Sequence, residues 1–582
     1  MWGQQQMTGG SSSSSFPRGG MSGGKGGNRN NMNKAHPYPT LNKYNTRNPN
    51  MMYNQRNQDE IAQFSFNFAN LMAAERREEL AVCVSIRGPD WGDKQQMVRG
   101  KTKEAIEASV QRGIDQLSFA QNGSPFSKNF EDAKEMKKPL SSFVVNYVKM
   151  VKIYCEALHY GLNPKAKPLM CESLQHCYLA LRDWSTLYCN TRDQYENHIW
   201  MIPAFQVLLA WAREQAENID LHFNSQSTDT NENMNKLVEH LRKIFGEMVR
   251  EKQKRAGFLS TTTELVRCCL AMFQVSLVEQ ILRNVQQLEQ LHLQQMGIKP
   301  GDKSLKRMGP GFPTAGVPPA VSVTLSYYWG VCLVQSGNYA EAERKISWGY
   351  SQLMRDSFNS NMFPQTSSTM NLISGATRND HYEQKRQMLH FLIPLRIRKG
   401  YLPSKALLKK YELEAIFGRI INAIKAGDLV KYEKASQDQT LVFVKLGIVN
   451  LMSQVKHIVT RQFIRRIIKC HELCTAQMQT EFPELYPKPA APPKSLKIDL
   501  SLVVSCFRQF LISECPTKVQ TEDITAQYDS AAEVETVLSQ LISYGGMKGY
   551  LTIHHNKLVV PRENCFPRVE DFCMQMDATV YV

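Results

Sequence analysis

Apolar residues recur along most of this chain at the spacing of a helix. Phe143, Tyr147, Met150, Val151 and Tyr154 fall at i, i+4, i+7, i+8 and i+11, which puts them on one helical face. Leu265, Cys268, Cys269, Met272 and Phe273 repeat the pattern. From about Asn57 to Leu291 such amphipathic stretches follow one another across short polar turns. Each must bury its apolar face against a neighbour, and the series predicts an α-solenoid over residues 57–296.

Between 297 and 322 the pattern breaks. Gly297, Pro300, Gly301, Gly309, Pro310, Gly311, Pro313, Gly316, Pro318 and Pro319 leave no room for a regular element, so this stretch reads as a linker. Helical signal returns over 323–495. Tyr328, Gly330 and Leu333 precede Gly337-Asn338-Tyr339-Ala340-Glu341-Ala342, a helix, a glycine turn and a second helix. That sequence has the form of a tetratricopeptide repeat, in which the small Gly330 and Ala342 let two helices approach closely. A polar stretch from Ser357 to Asp380 reads as an excursion loop.

The pattern changes again past Pro487, Pro489, Pro492 and Pro493. Leu500 to Leu511 is an apolar helix. Ser530-Ala531-Ala532-Glu533 fits a capping box opening a helix with Val534, Val537, Leu538, Leu541 and Ile542 on one face, and Gly545-Gly546 ends it. Gly549–Ile553 and Lys557–Val560 flank a polar turn and read as a β-hairpin. Helices followed by such a wing describe a winged helix over 496–566, with a C-terminal tail over 567–582. The expected fold is therefore mainly α: a solenoid of tetratricopeptide-like repeats running into a winged helix.

Composition adds a tail at the other end. Residues 1–56 are rich in Gly, Ser, Asn and Gln, with seven basic residues and no acidic one. They offer too little apolar surface to offset chain entropy and read as disordered. Their role is either passive or that of a weak nucleic-acid tether. The opening residues lack a basic segment followed by an apolar one, so no secretory signal is expected. No apolar run reaches the roughly 18 residues that a bilayer span requires, and no membrane partner is expected. None of the fourteen cysteines forms a C-x-x-C pair, which favours a reducing compartment over a disulfide framework.

The net charge is +16, and its placement matters more than its size. From Ile393 to Lys469 sixteen Lys and Arg stand against five Asp and Glu. Within that span His457, Arg461, Arg465 and Lys469 recur at intervals of four, with Lys456 and Arg466 beside them and Ile458, Ile464, Ile467 and Ile468 on the opposite face. No acid lies between Lys456 and Lys469, so the stripe repels itself unless something completes it. Phosphates or an acidic partner would serve, and so would solvent or acids elsewhere in the fold. Lys548, His554, His555 and Lys557 on the hairpin are further candidates for phosphate contact. Arg396, Arg398, Lys399, Lys405, Lys409 and Lys410 form a second basic cluster, with solvated helix ends as the plain alternative. The second helix of the winged helix presents Glu535, Thr536, Ser539, Gln540 and Ser543 outward, which excludes the Arg-, Lys- or Asn-based groove reading of a sequence-specific protein.

Two stretches carry a resemblance. Leu392-Ile393-Pro394-Leu395-Arg396-Ile397-Arg398-Lys399-Gly400-Tyr401-Leu402-Pro403, followed by Leu407-Leu408-Lys409-Lys410-Tyr411, is similar to a signature of the PCI domain-containing protein 2 family. So is Gly546-Met547-Lys548-Gly549-Tyr550-Leu551, followed by His555 to Val560. The resemblance covers roughly 320–567. It implies a PCI domain and a non-enzymatic scaffold subunit of the nuclear transcription–export complex, placed in the nucleus at nuclear pores and with the cytoplasm open as well. It also implies a larger PCI-like scaffold subunit and a small acidic disordered subunit, shared with the proteasome lid, as partners. RNA or DNA would bind through its backbone. The alternative within the same architecture is a signalosome or proteasome-lid subunit.

Catalysis finds no support in the sequence. There is no P-loop, G-x-S-x-G, H-E-x-x-H or dinucleotide fingerprint. Cys470-His471-Glu472-Leu473-Cys474 lacks a convincing fourth ligand for a metal, and no cofactor is expected.

Overall fold

A computed structural model of the chain describes residues 59–86, 90–117, 135–191, 200–223, 231–250, 254–295, 319–358, 380–487, 494–514 and 531–573. The predicted N-terminal tail, nearly all of the 297–322 linker, the 359–379 part of the excursion loop and the capping residue Ser530 lie outside these residues.

The first half is a run of helices: α1 (Glu60–Ala73), α2 (Arg77–Val84), α3 (Trp91–Val98), α4 (Lys103–Asp115), α5 (Lys137–Tyr160), α6 (Ala166–Cys189), α7 (Ile202–Phe223), α8 (Glu232–Arg250), α9 (Arg255–Ala271) and α10 (Val275–Gln295). The predicted stripe on α5 is the buried one, since Phe143, Tyr147, Met150 and Val151 are all within 1% of full burial. Burying side chains of this size contributes about 1.5–3 kcal/mol each before entropy is subtracted. Phe143 packs against Phe68 and Trp184, with ring centres 5.3 and 5.0 Å away, which ties α1, α5 and α6 together. Phe273 departs from its expected face. Helix α9 ends at Ala271, Phe273 takes a left-handed backbone (φ 58°), and its ring is 85% exposed. The periodicity holds only while the helix does.

Helix α11 (Pro319–Gln335) begins inside the predicted linker and is apolar on all sides. The reason is its position between two cores. Val321, Leu325, Trp329 and Cys332 belong to the core of the first half, whereas Val323, Val331 and Val334 belong to the second. A helix buried all round carries no polar face. It pairs with α12 (Tyr339–Phe358) through the turn at Gly337. A Cβ on Gly330 would lie 2.2 Å from Ile346 Cγ1, so the two helices meet at a separation that only glycine permits.

The second half continues with α13 (Asp380–Arg398), α14 (Lys405–Lys410), α15 (Glu414–Ala426), α16 (Leu429–Asp438), α17 (Thr440–Leu446) and the long α18 (Val449–Glu481). Then come β1 (Ser495–Asp499), α19 (Leu500–Glu514), α20 (Ala531–Ser543), β2 (Tyr550–Thr552) and β3 (Lys557–Pro561). The strands form an antiparallel sheet in the order β1-β3-β2, with Leu496 opposite Val560 and Tyr550 opposite Val559. Helix α20 ends as read from the sequence, the Gly546 amide donating to the Leu541 carbonyl at 2.8 Å. The fold is mainly α, a stack of helices ending in a winged helix. Strand β1 has no counterpart in the sequence analysis, and the segment 567–573, expected there to open a tail, sends Phe572 and Cys573 into the core.

Candidate nucleic-acid interface

Helix α18 carries the basic stripe because it is the joint between the helical stack and the winged helix. Its apolar residues Val455, Ile458, Ile464, Ile467 and Ile468 are all buried in the second core. The residues of the stripe and those beside it meet different surroundings.

Arg461 lies inside the fold and is 6% exposed. Its Nε donates to the Gly546 carbonyl at 3.0 Å and its Nη2 to the Pro567 carbonyl. A phosphate cannot reach it, so the reading of Arg461 as a nucleic-acid contact is corrected: the winged helix covers this side of α18. His457 is half-buried with its ring against Tyr544, centres 5.4 Å apart. Burial, and then Lys456, hold its pKa below the ordinary histidine value, so it is neutral near pH 7 and offers no cation. Lys456 forms an ion pair with Glu433 at 2.5 Å, a contact across helices that supplies the acid missing from the local sequence.

Arg465, Arg466 and Lys469 are exposed. Arg466 donates to the Ala426 carbonyl at the C-terminus of α15, where the helix dipole favours a cation. Lys425 stands one residue earlier and is exposed as well. On the wing, Lys548, His554 and His555 are exposed, and Lys557 sits 4.0 Å from Asp499 on the neighbouring strand. Arg568 was missed in the sequence because it lay in the presumed tail. It is exposed and directly follows Pro567, whose carbonyl Arg461 holds.

The second cluster separates in the same way. Arg398 is buried, 1% exposed, with its Nε donating to Gln454 Oε1 at 2.6 Å, so the reading of it as part of an open cluster is corrected too. Lys399 pairs with Glu343 at 2.6 Å, whereas Arg396 reaches the same carboxylate only at 3.9 Å and stays exposed, so one charge of the two is left over. Lys405, Lys409 and Lys410 are exposed on α14, with the Lys410 ammonium 5.5 Å from the centre of the Tyr411 ring. Of the side chains expected to face outward from α20, Thr536, Ser539, Gln540 and Ser543 are exposed and uncharged, and the acidic Glu535 is half-buried.

No family model matches the chain. Individual proteins do. A PCI domain-containing protein 2 homolog of Drosophila melanogaster is 25% identical over 295 residues, covering 51% of this chain and 58% of that protein. The chain is related to the PCI domain-containing protein 2 family. Enhanced ethylene response protein 5 of Arabidopsis thaliana is 20% identical over 453 residues, 78% of this chain and 90% of that protein. A protein CSN12 homolog of Gibberella zeae is 25% identical over 252 residues, 43% and 45% of the two chains. The matches to the PCI domain-containing protein 2 relatives span about half the length of those proteins. The mainly α architecture ending in a winged helix agrees with this PCI relationship.

Proposed function

We propose that the chain is a non-enzymatic scaffold subunit of a nuclear, transcription-coupled mRNA export complex, one that binds partner subunits through its PCI domain and follows nucleic-acid backbones without reading sequence. The observation that carries the binding reading is the division of charge on α18. Arg465, Arg466 and Lys469 are exposed next to a winged helix whose α20 presents no basic side chain outward. Charge in that position can follow phosphates, while α20 has little with which to read base edges. The partners in this reading are a larger PCI-like scaffold subunit and a small acidic disordered subunit, and the site of action is the nucleus at its pores.

Competition among unrelated RNA and DNA oligomers of equal length, at one salt concentration, tests the reading. Affinities within about tenfold of each other, or about 1.4 kcal/mol, are expected. Changing Arg465, Arg466 and Lys469 to Glu should weaken binding. It should also flatten the salt dependence by about 0.7 in log–log slope for each phosphate of a single strand that is no longer neutralised. A preferred motif binding a thousandfold tighter would contradict the reading.

A second reading, a signalosome-associated subunit, is favoured by the similarity to the Gibberella zeae protein named a CSN12 homolog. The two readings differ in partners, not in fold.

A further inference from the structure

The segment after the wing is held from both sides. On one side is the end of α13. Arg398 Nη2 donates to the Cys573 carbonyl at 3.2 Å, and the Cys573 thiol donates back to the Arg398 carbonyl at 2.6 Å. Two residues on, Gly400 has φ 87°, and a Cβ there would lie 3.1 Å from Val569 Cβ. Tyr401 donates its hydroxyl to Glu570. On the other side is α18. Arg461 holds the Gly546 and Pro567 carbonyls, and its guanidinium carbon lies 5.4 Å from the centre of the Phe566 ring. Phe572, fully buried, closes on Gly546, where an added Cβ would come within 3.1 Å of the ring.

We propose that residues 566–573 form an internal strap that fixes the winged helix on the helical stack, with Arg398 and Arg461 as its positioning residues. Apolar contact alone is non-directional and tolerates sliding between packed surfaces. A guanidinium fork aimed at particular carbonyls sets an orientation as well as a distance. Both arginines are buried and bonded to main-chain oxygens of the strap, Arg398 to Cys573 and Arg461 to Pro567, so each defines where the strap sits. The two stretches that resemble the PCI domain-containing protein 2 signature supply these contacts: Arg398, Gly400 and Tyr401 from one, Gly546 from the other.

The strap stands on these contacts. Its consequence for binding rests on the nucleic-acid reading proposed above. By fixing the joint it holds Arg465, Arg466 and Lys469 on α18 in register with Lys548 and Lys557 on the wing. Loosening the strap should therefore weaken binding without taking away any cation that meets a phosphate: affinity falls while the salt slope stays at the wild-type value.

Hydrogen exchange on the full chain tests this, using Arg398→Lys, Arg461→Lys and Val569→Asp. The lysines keep the charge and lose the fork; the aspartate puts a charge where Val569 packs against Gly400. Exchange in residues 546–551, 557–561 and 567–573 should accelerate by about tenfold or more while α5 to α9 keep wild-type protection. Unchanged exchange in those three segments would overturn the strap, and so would acceleration shared equally with α5 to α9. If an arginine variant fails to fold, Val569→Asp decides on the same readout. If the wild-type chain binds no RNA or DNA, the nucleic-acid reading fails and the exchange data still judge the strap.

Discussion

Arg461 and Gly546 are 85 residues apart in sequence, yet the arginine Nε donates to the glycine carbonyl at 3.0 Å. The bond crosses from the last helix of the stack to the turn that ends α20. It also explains why a basic residue occupies the middle of an otherwise exposed-looking stripe. Of the two main-chain oxygens it satisfies, that of Gly546 is buried and that of Pro567 partly so, and both would lose a charged donor without it.

Arg461→Ala should accordingly destabilise the chain by about 2–4 kcal/mol, because one buried and one partly buried acceptor lose a charged donor. Arg465→Ala, one turn along and exposed, should stay within about 0.5 kcal/mol of wild type. Chemical denaturation of the two variants side by side checks the contrast. Equal losses would mean that the stripe is uniform after all.

Two helical glycines make a second contrast. In α11, Gly330→Ala places a methyl 2.2 Å from Ile346 Cγ1, and Ile346 is fully buried and has nowhere to go. We expect a loss of about 1–3 kcal/mol from overpacking, despite the better helix propensity of alanine. In α8, Gly246 has nothing within 4 Å of an added Cβ. Gly246→Ala should stabilise by up to about 1 kcal/mol. Thermal melts of the pair settle the signs, and a stabilising Gly330→Ala would show that α11 and α12 are not this close.

Stability should also fall as the solution is acidified past neutrality. Burial is the leading cause that lowers the pKa values of His176, His240, His390 and His457. The unfolded chain takes up protons near about pH 6.5, where the folded chain does not. The unfolded state thus binds more protons, and stability rises with pH through that region. The histidine contribution is intact above about pH 7 and is lost as pH drops through the unfolded value toward the lower folded ones. Denaturation midpoints between about pH 5 and 7.5 should show this slope, and His457→Phe, which keeps a ring against Tyr544, should make it shallower. An unchanged slope would mean that His457 contributes nothing to it.

What the sequence made legible was whatever depends on near neighbours. The face through Phe143, Tyr147 and Val151 follows from the helical period, the approach at Gly330 from the absence of a side chain, and the end of α20 from paired glycines. What it hid depends on elements far along the chain. Lys456 looked uncompensated because Glu433 lies on another helix. Arg398 and Arg461 looked like surface charges because their partners lie far along the chain, among them Cys573 and Pro567 in a segment read as a tail. Strand β1 is five residues with alternating burial, short enough to be overlooked after a run of prolines. On α18 the candidate interface consequently shrinks to Arg465, Arg466 and Lys469, while Arg398 and Arg461 pass from recognition to architecture.

Whether this chain works as a subunit within an mRNA export assembly is decided most directly by its companions in the cell. The endogenous full-length protein would be purified from nuclear extract under mild salt, and whatever co-elutes in stoichiometric amounts identified. The expected result is a larger subunit with its own PCI-like fold and a small acidic subunit, with polyadenylated RNA recovered in the same fraction. A chain that elutes alone, or with signalosome subunits and no RNA, would contradict it.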